Sequence, residues 1–219
     1  MTLVDPDGED LDRHLDALAA ALDALRRERA RLDRWSTHLA SVLDRGGRLL
    51  AAGNGGSAAE AQHLAAELSG RYRAERRPLS AIALPGEMAA VTAIANDYGY
   101  DRVFARQVEA HGRRGDVLVL LSTSGRSANL LHAARSAAAT GMTSWAMTGP
   151  APNPLASICD DALPVAAPAP TVQEVHLAVV HVLSGGVEAA LRWPATCTGD
   201  GVLPRQAMAM AHRDRREVA

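Results

Sequence analysis

His63 and Glu67 lie four residues apart in "GSAAEAQHLAAELSGRY", an Ala- and Leu-rich stretch without proline that reads as helix. At that spacing both side chains project from one face. An imidazole and a carboxylate held so can share a cation or pass a proton. Far along the chain, "TVQEVHLAVVH" places Gln173 and His181 eight residues apart, two helical turns and roughly 80° of rotation by the ~3.6-residue turn. Two imidazoles, a carboxylate and an amide oxygen suit a divalent ion, with zinc the usual choice for mixed N/O donors. A plainer reading stays open on spacing alone. A lone His in an apolar helix is commonly a packed residue, and Glu67 can be a solvated side chain on an Ala-rich helix. His176 is a further imidazole in the same segment, and spacing does not exclude it.

Two loops want an anion. "LLAAGNGGS" (49–57) ends an apolar run in glycines and starts a helix at Ser57. Glycines let backbone N–H groups approach a ligand, and a helix N-terminus favours negative charge. "STSGRSANL" (122–130) offers hydroxyls from Ser122, Thr123, Ser124 and Ser127, again at a helix start. One hydroxyl is an ordinary N-cap; four within six residues exceed what capping needs. Gly53, Gly55 and Ala58 also fit a G-x-G-x-x-A dinucleotide fingerprint. That fingerprint expects an acidic ribose ligand about twenty positions on. The nearest candidate, Glu87, lies thirty-four residues past Gly53, and the second loop has no role in such a fold.

The elements that must position these residues follow a regular rhythm. "RLLAAG" (48–53), "SAIAL" (80–84), "DVLVLLS" (116–122), "TSWAMTG" (143–149) and "DALPVAA" (161–167) are short apolar runs. Helical patterns follow at 57–69, 87–96 with 101–111, 126–140 and 171–191. Strands alternating with helices imply a parallel sheet covered on both faces, with ligands beyond the carboxyl ends of its strands. Before the first strand, Leu11, Leu18, Leu25, Leu32 and Leu39 recur every seven residues, with Leu15, Leu22 and Leu43 beside them. This predicts helix over 9–46, a hairpin against the domain or an oligomer interface, with Ser36-Thr37 as a cap for a second helix. Residues 150–170 are Pro- and Ala-rich and read as loops. Ser184-Gly185-Gly186 follow His181, and interior glycines cost about 1 kcal/mol each, which predicts a bend or early end of the last helix.

The chain has 219 residues, 47% of them hydrophobic but only 3% aromatic, so Ala, Leu and Val must fill the core. A formal charge of −2 gives no overall attraction to nucleic acid or an anionic membrane. Cys159 and Cys197 lack CxxC spacing, the start "MTLVDPDGED" is acidic where a signal peptide would be basic, and no apolar run approaches a membrane span. A cytoplasmic protein is expected.

Together, "GNGGS" (53–57), "HLAAELSGRY" (63–72), "AIAND" (93–97), "STSGRSAN" (122–129) and "QEVHLAVVH" (173–181) resemble the phosphoheptose isomerase family of sugar isomerase (SIS) domain proteins, over roughly residues 45–192. The resemblance implies a homotetramer whose subunit is a three-layer αβα sandwich with a flavodoxin-like five-stranded parallel sheet. It divides the chain into N-terminal helices (1–46), a SIS domain (47–193) and a C-terminal extension (194–219). The activity implied is conversion of sedoheptulose 7-phosphate to D-glycero-D-manno-heptose 7-phosphate, with one zinc ion per subunit. Carried over, the zinc ligands are His63, Glu67, Gln173 and His181, with Glu67 and His181 moving protons. Substrate would be held by Asn54, Gly55, Gly56, Ser57, Glu67, Asn96, Asp97, Ser122, Thr123, Ser124, Ser127 and Gln173, and Arg71 would reach a neighbouring subunit. A related SIS protein is a non-catalytic tetrameric partner of the bacterial replication initiator, and "SAAEAQH" and "VTAIAND" share its flavour. That regulator lacks residues like Glu67 and His181. A sugar-phosphate-sensing module is the remaining alternative.

Overall fold

The computed structural model describes residues 11–191. Its strands are β1 (Leu49–Gly53), β2 (Ala81–Ala83), β3 (Val117–Ser122), β4 (Thr143–Thr148) and β5 (Asp161–Pro164). They pair in parallel throughout, in the order β2-β1-β3-β4-β5. Every residue of β1 and β3 is buried, as a parallel sheet covered on both faces requires. Successive side chains alternate between two cores: Leu49 and Ala51 join one, Leu50 and Ala52 the other. The chain leaves β1 in opposite directions toward β2 and β3. That reversal is the place where open α/β sheets bind ligands.

Helices α1 (Leu11–Leu25), α2 (Arg29–Asp44), α3 (Gly56–Ser69) and α8 (Ala169–Ala190) cover one face. The other face is covered by α4 (Met88–Tyr98), α5 (Val103–His111), α6 (Ala128–Thr140) and α7 (Pro154–Ile158). The result is the expected three-layer α/β sandwich. Trp35 of α2 stacks on Trp145 of β4, centroids 4.7 Å apart, and its indole N–H donates to Asp161 at 2.8 Å. The N-terminal hairpin is thereby bonded to the sheet. The proposed extension 194–219 and Cys197 lie outside the described residues.

Three local expectations change. The break in the N-terminal helices falls at Arg26–Glu28, a 3-10 turn, and not at Ser36-Thr37, which lie inside α2. Ser36 is buried there against α8. Residues 154–158 form a helical turn within the Pro-rich stretch, because the Asn153 side chain accepts from Ala156 N–H at 2.9 Å and Pro154 occupies the first helical position. Finally, α8 runs unbroken through Gly185 and Gly186 to Ala190. A Cβ on Gly185 would sit 3.3 Å from the Tyr72 ring, and one on Gly186 would be 2.7 Å from Ser36 Cβ. These glycines make room for neighbours, and that packing outweighs their poor helix propensity.

The loop after β3 is held against β4. Gly149 N–H donates to the Ser122 carbonyl at 3.3 Å, and a Cβ on Gly149 would collide with the Thr123 carbonyl oxygen. Gly149→Ala is therefore expected to cost about 1–3 kcal/mol through overpacking, lowering Tm by roughly 2–4 °C per kcal/mol. Thermal melting checks this; a parental Tm would show that the 122–127 loop yields freely.

Candidate active site

At the end of β1 the chain turns at Gly55, whose φ of 57° suits glycine, and α3 begins at Gly56. Ser57 N–H donates to the Asn54 carbonyl at 3.1 Å and Ala58 N–H to the Gly55 carbonyl at 3.0 Å, which leaves the amides of Gly55 and Gly56 for a ligand at the helix start. Ser57 is buried against Gly53. In the neighbouring loop, Ser122 Oγ accepts from Gly125 N–H at 3.0 Å and Ser124 Oγ from Arg126 N–H at 3.2 Å. A hydroxyl that accepts still has its own proton to donate. Ser127 stands at the start of α6 without making a side-chain cap. These hydroxyls and amides suit a phosphate.

One contact that spacing did not disclose ties the two loops together. Asn54 Nδ2 donates to Asn129 Oδ1 at 3.0 Å, and Asn129 Nδ2 donates back to Asn54 Oδ1 at 2.9 Å. Tyr100 OH donates to the same Asn54 oxygen at 3.0 Å. The Asn54 amide is thus largely committed to bracing the loops. Asn96 and Asp97 lie near the end of α4, exposed and bonded to each other at 2.9 Å. The neighbouring Tyr100 makes the link to the loop.

Below the loops, α3 and α8 run side by side, and their contacts succeed one another in order along both. Gln173 packs on Gly56: a Cβ there would lie 2.8 Å from Gln173 Nε2. Next, Glu60 Oε2 is 3.8 Å from Nδ1 of the fully buried His176. Then His63 Nε2 meets Glu67 Oε1 at 3.0 Å and His181 Nε2 at 3.2 Å. Ligand atoms of His63, Glu67 and His181 all lie within 4.8 Å of one another, so this group could hold a metal ion. The donor chemistry fits one. Two Nε2 atoms and a carboxylate oxygen converge, and neutral rings cannot both donate at their facing nitrogens. The two separations from His63 Nε2 also approach the about 3.3 Å edge of a tetrahedron with metal–nitrogen bonds of 2.0–2.1 Å. Gln173 enters the seam at the loop end, and His176 faces Glu60 and not this group. Arg71 is exposed, 3.9 Å from Glu75.

Tyr72 was not singled out by the spacing, yet its ring stacks on His181 with centroids 5.7 Å apart. Its signal was its place in "GRY", directly after α3. Arg76 and Glu188 beneath it form a buried ion pair, Nε to Oε1 3.3 Å.

Burial pushes the Glu60 carboxyl up to about 7 and His176 down to about 4. For Glu60 the folded value exceeds the ordinary 4.5. The folded state therefore binds more protons between these values, and this group's contribution to stability is lost as pH rises toward 7. His176 acts oppositely: below its ordinary 6.5, stability is lost as pH falls toward 4. Replacing Glu60 by Gln removes only the first effect. Relative to the parent, Glu60→Gln is expected to melt higher at pH 8 than at pH 5; a pH-independent difference in Tm would contradict this.

The SIS domain family model matches residues 13–149. The phosphoheptose isomerase of Streptomyces coelicolor is 61% identical over 179 residues, covering 81% of this chain and 78% of that protein. Among solved structures, a phosphoheptose isomerase from Neisseria gonorrhoeae superposes with a TM-score of 0.75 at 37% identity, covering 82% of this chain and 97% of the other. One from Francisella tularensis gives 0.72 at 32% identity, covering 81% and 94%. Sequence, fold and the pairing of two phosphate-type loops with a His-Glu-His group agree, and the chain belongs to the phosphoheptose isomerase family of SIS domain proteins.

Proposed function

We propose that this chain is an aldose–ketose isomerase that converts sedoheptulose 7-phosphate to D-glycero-D-manno-heptose 7-phosphate, the first step toward nucleotide-activated heptose. The observation that carries the reading is the meeting of Glu67, His63 and His181 within 4.8 Å, under loops suited to a phosphate. Moving the carbonyl from C2 to C1 requires breaking a C1–H bond and forming a C2–H bond through an enediol. Glu67 takes the proton from C1 and returns it to C2, and His181 carries the proton between O1 and O2. A carboxylate and an imidazole suit these steps. Glu67 Oε1 faces His63, which leaves Oε2 for the substrate.

The amides at Gly55 and Gly56 and the hydroxyls of Ser57, Ser122, Thr123, Ser124 and Ser127 bind the phosphate. Asn54 holds this cradle in shape, Gln173 closes it from α8, and Asn96 and Asp97 face the sugar from α4. Zinc, one per subunit, would be held by His63, Glu67, Gln173 and His181. As a Lewis acid it would polarise the substrate oxygens at C1 and C2. The regulator and sensor alternatives need the loops but not this His-Glu-His geometry, and nothing in the seam favours them.

We further propose a cytoplasmic homotetramer with residues 1–46 at its interface. No helix among the described residues is long and apolar enough to cross a membrane. Leu11, Leu15 and Leu22 stand exposed on α1, which has no buried residue, and a second copy would cover them. Leu15→Glu is expected to lower the molar mass seen by light scattering; an unchanged tetramer would place the interface elsewhere.

Purified protein incubated with sedoheptulose 7-phosphate is expected to form an aldoheptose phosphate, more slowly after chelation and at the original rate once Zn2+ is restored. Absence of product with every divalent ion tried would end the enzyme reading. Glu67→Gln should reduce kcat at least ~10²-fold, as for loss of a general base, without altering assembly. Turnover at the parental rate would remove Glu67 from that role.

A further inference from the structure

We propose that the turn at residues 70–77 is a bracket that positions His181 and Glu67, with Tyr72 fixing the plane of the His181 ring. Its kinetic consequence rests on the isomerase reading; its effect on the His-Glu-His group does not.

The Tyr72 ring lies nearly parallel to the His181 imidazole, 23° between planes and 5.7 Å between centroids, within the range of favourable ring pairs. It is seated on α8 at Gly185, one turn below His181, where a Cβ would stand 3.3 Å from Tyr72 Cε1. The Arg73 guanidinium lies over the same ring, 4.9 Å from its centroid. His63 touches His181 differently. Their rings meet edge to face at 71°, centroids 5.0 Å apart, so Nε2 is contacted but the ring plane is not held. Tyr72 supplies that missing restraint.

Tyr72 is itself fixed through its backbone. The Glu188 carboxylate accepts from the N–H groups of Tyr72 at 3.0 Å, Arg73 at 3.2 Å and Ala74 at 3.1 Å. Three successive amides converging on one anion form a nest. Arg76 pairs with the same carboxylate and turns its other nitrogens on the end of α3. They donate to the carbonyls of Glu67 at 2.6 Å, Leu68 at 2.8 Å and Gly70 at 3.1 Å. Those carbonyls have no intrahelical partner at a helix C-terminus. The Arg76 and Glu188 side chains are only 2% and 10% exposed. One buried ion pair therefore anchors the backbone of Glu67 on one side and the ring that backs His181 on the other. Hydrogen-bonded partners that fix the ring orientation of a ligating His are worth about 10–100-fold in metal affinity or activity, and a stacked ring restrains the same orientation.

The test uses the full chain as Tyr72→Leu and Tyr72→Phe, titrated with Co2+ while its visible absorption is followed, with Tm, kcat and KM measured alongside. Tyr72→Phe keeps the ring and is expected to match the parent. Tyr72→Leu keeps apolar bulk but not the plane, and is expected to lose about 10–100-fold in Co2+ affinity and kcat, with KM little changed and an altered spectrum. Parental Co2+ affinity and spectrum in Tyr72→Leu would overturn the proposal, as would equal losses in both variants. A lowered Tm with an unchanged spectrum would make Tyr72 merely structural and overturn it too. Should Tyr72→Leu fail to fold, Gly185→Ala displaces the ring by its Cβ alone; weaker Co2+ binding supports the bracket and unchanged binding refutes it. A parent that binds Co2+ in this pattern but turns over no sedoheptulose 7-phosphate would defeat the isomerase reading and leave the bracket standing.

Discussion

The seam between α3 and α8 is the constraint on which the site depends. Neither helix carries a complete set of groups: α3 supplies His63 and Glu67, and α8 supplies His181 from 118 positions away in sequence. For Nε2 atoms to lie 3.2 Å apart, the helices must lie side by side in one register. That register is fixed at several heights: Gln173 on Gly56, His176 beside Glu60, His181 on His63, and Glu188 on the turn after α3. Close approach needs small residues at the crossing. Gly56 provides it opposite Gln173, and Gly185 opposite Tyr72 in the turn after α3, while Gly186 does the same for α2 opposite Ser36.

Burying ionisable groups along this seam is costly, and the structure meets that cost unevenly. Arg76 and Glu188 pair with each other and are met by backbone carbonyls and amides. Removing one partner of such a pair is strongly destabilising, by about 3–5 kcal/mol. Glu60 and His176 have no such shell, and burial moves each toward its neutral form. The seam thus carries one charged anchor at the far end and one near-neutral contact in the middle. The half-buried His-Glu-His group between them is left able to take a cation.

Much of the fold was legible because its strands are buried on both faces and read as unbroken apolar runs. The α1–α2 break was misplaced because the leucine repeat continues across Arg26–Glu28, where neither Gly nor Pro marks the turn. The glycines after His181 were read by propensity, whereas their reason is contact with Tyr72 and Ser36. His63 and Glu67 were legible as an i, i+4 pair on one helix. The Asn54–Asn129 pair and the Glu188 nest join residues 75 and more than 110 positions apart, and a single sequence holds no local pattern that announces them.

The same geometry bears on what length of substrate the site favours. Gly56 starts α3 under the first phosphate loop, and His63 is seven residues on, about 10 Å along the axis at 1.5 Å per residue. Side chains tilt toward the helix N-terminus, so the groups proposed to react stand somewhat nearer the loop than that. A sugar whose phosphate lies next to its carbonyl would have to choose between loop and seam. One whose phosphate and carbonyl occupy opposite ends of an open chain satisfies both at once. Sedoheptulose 7-phosphate is of the second kind, with reaction at C1 and C2 and the phosphate on C7. On the proposed assignment, the spacing between the anion cradle and Glu67 would act as a ruler, with the parallel register of α3 and α8 setting its length.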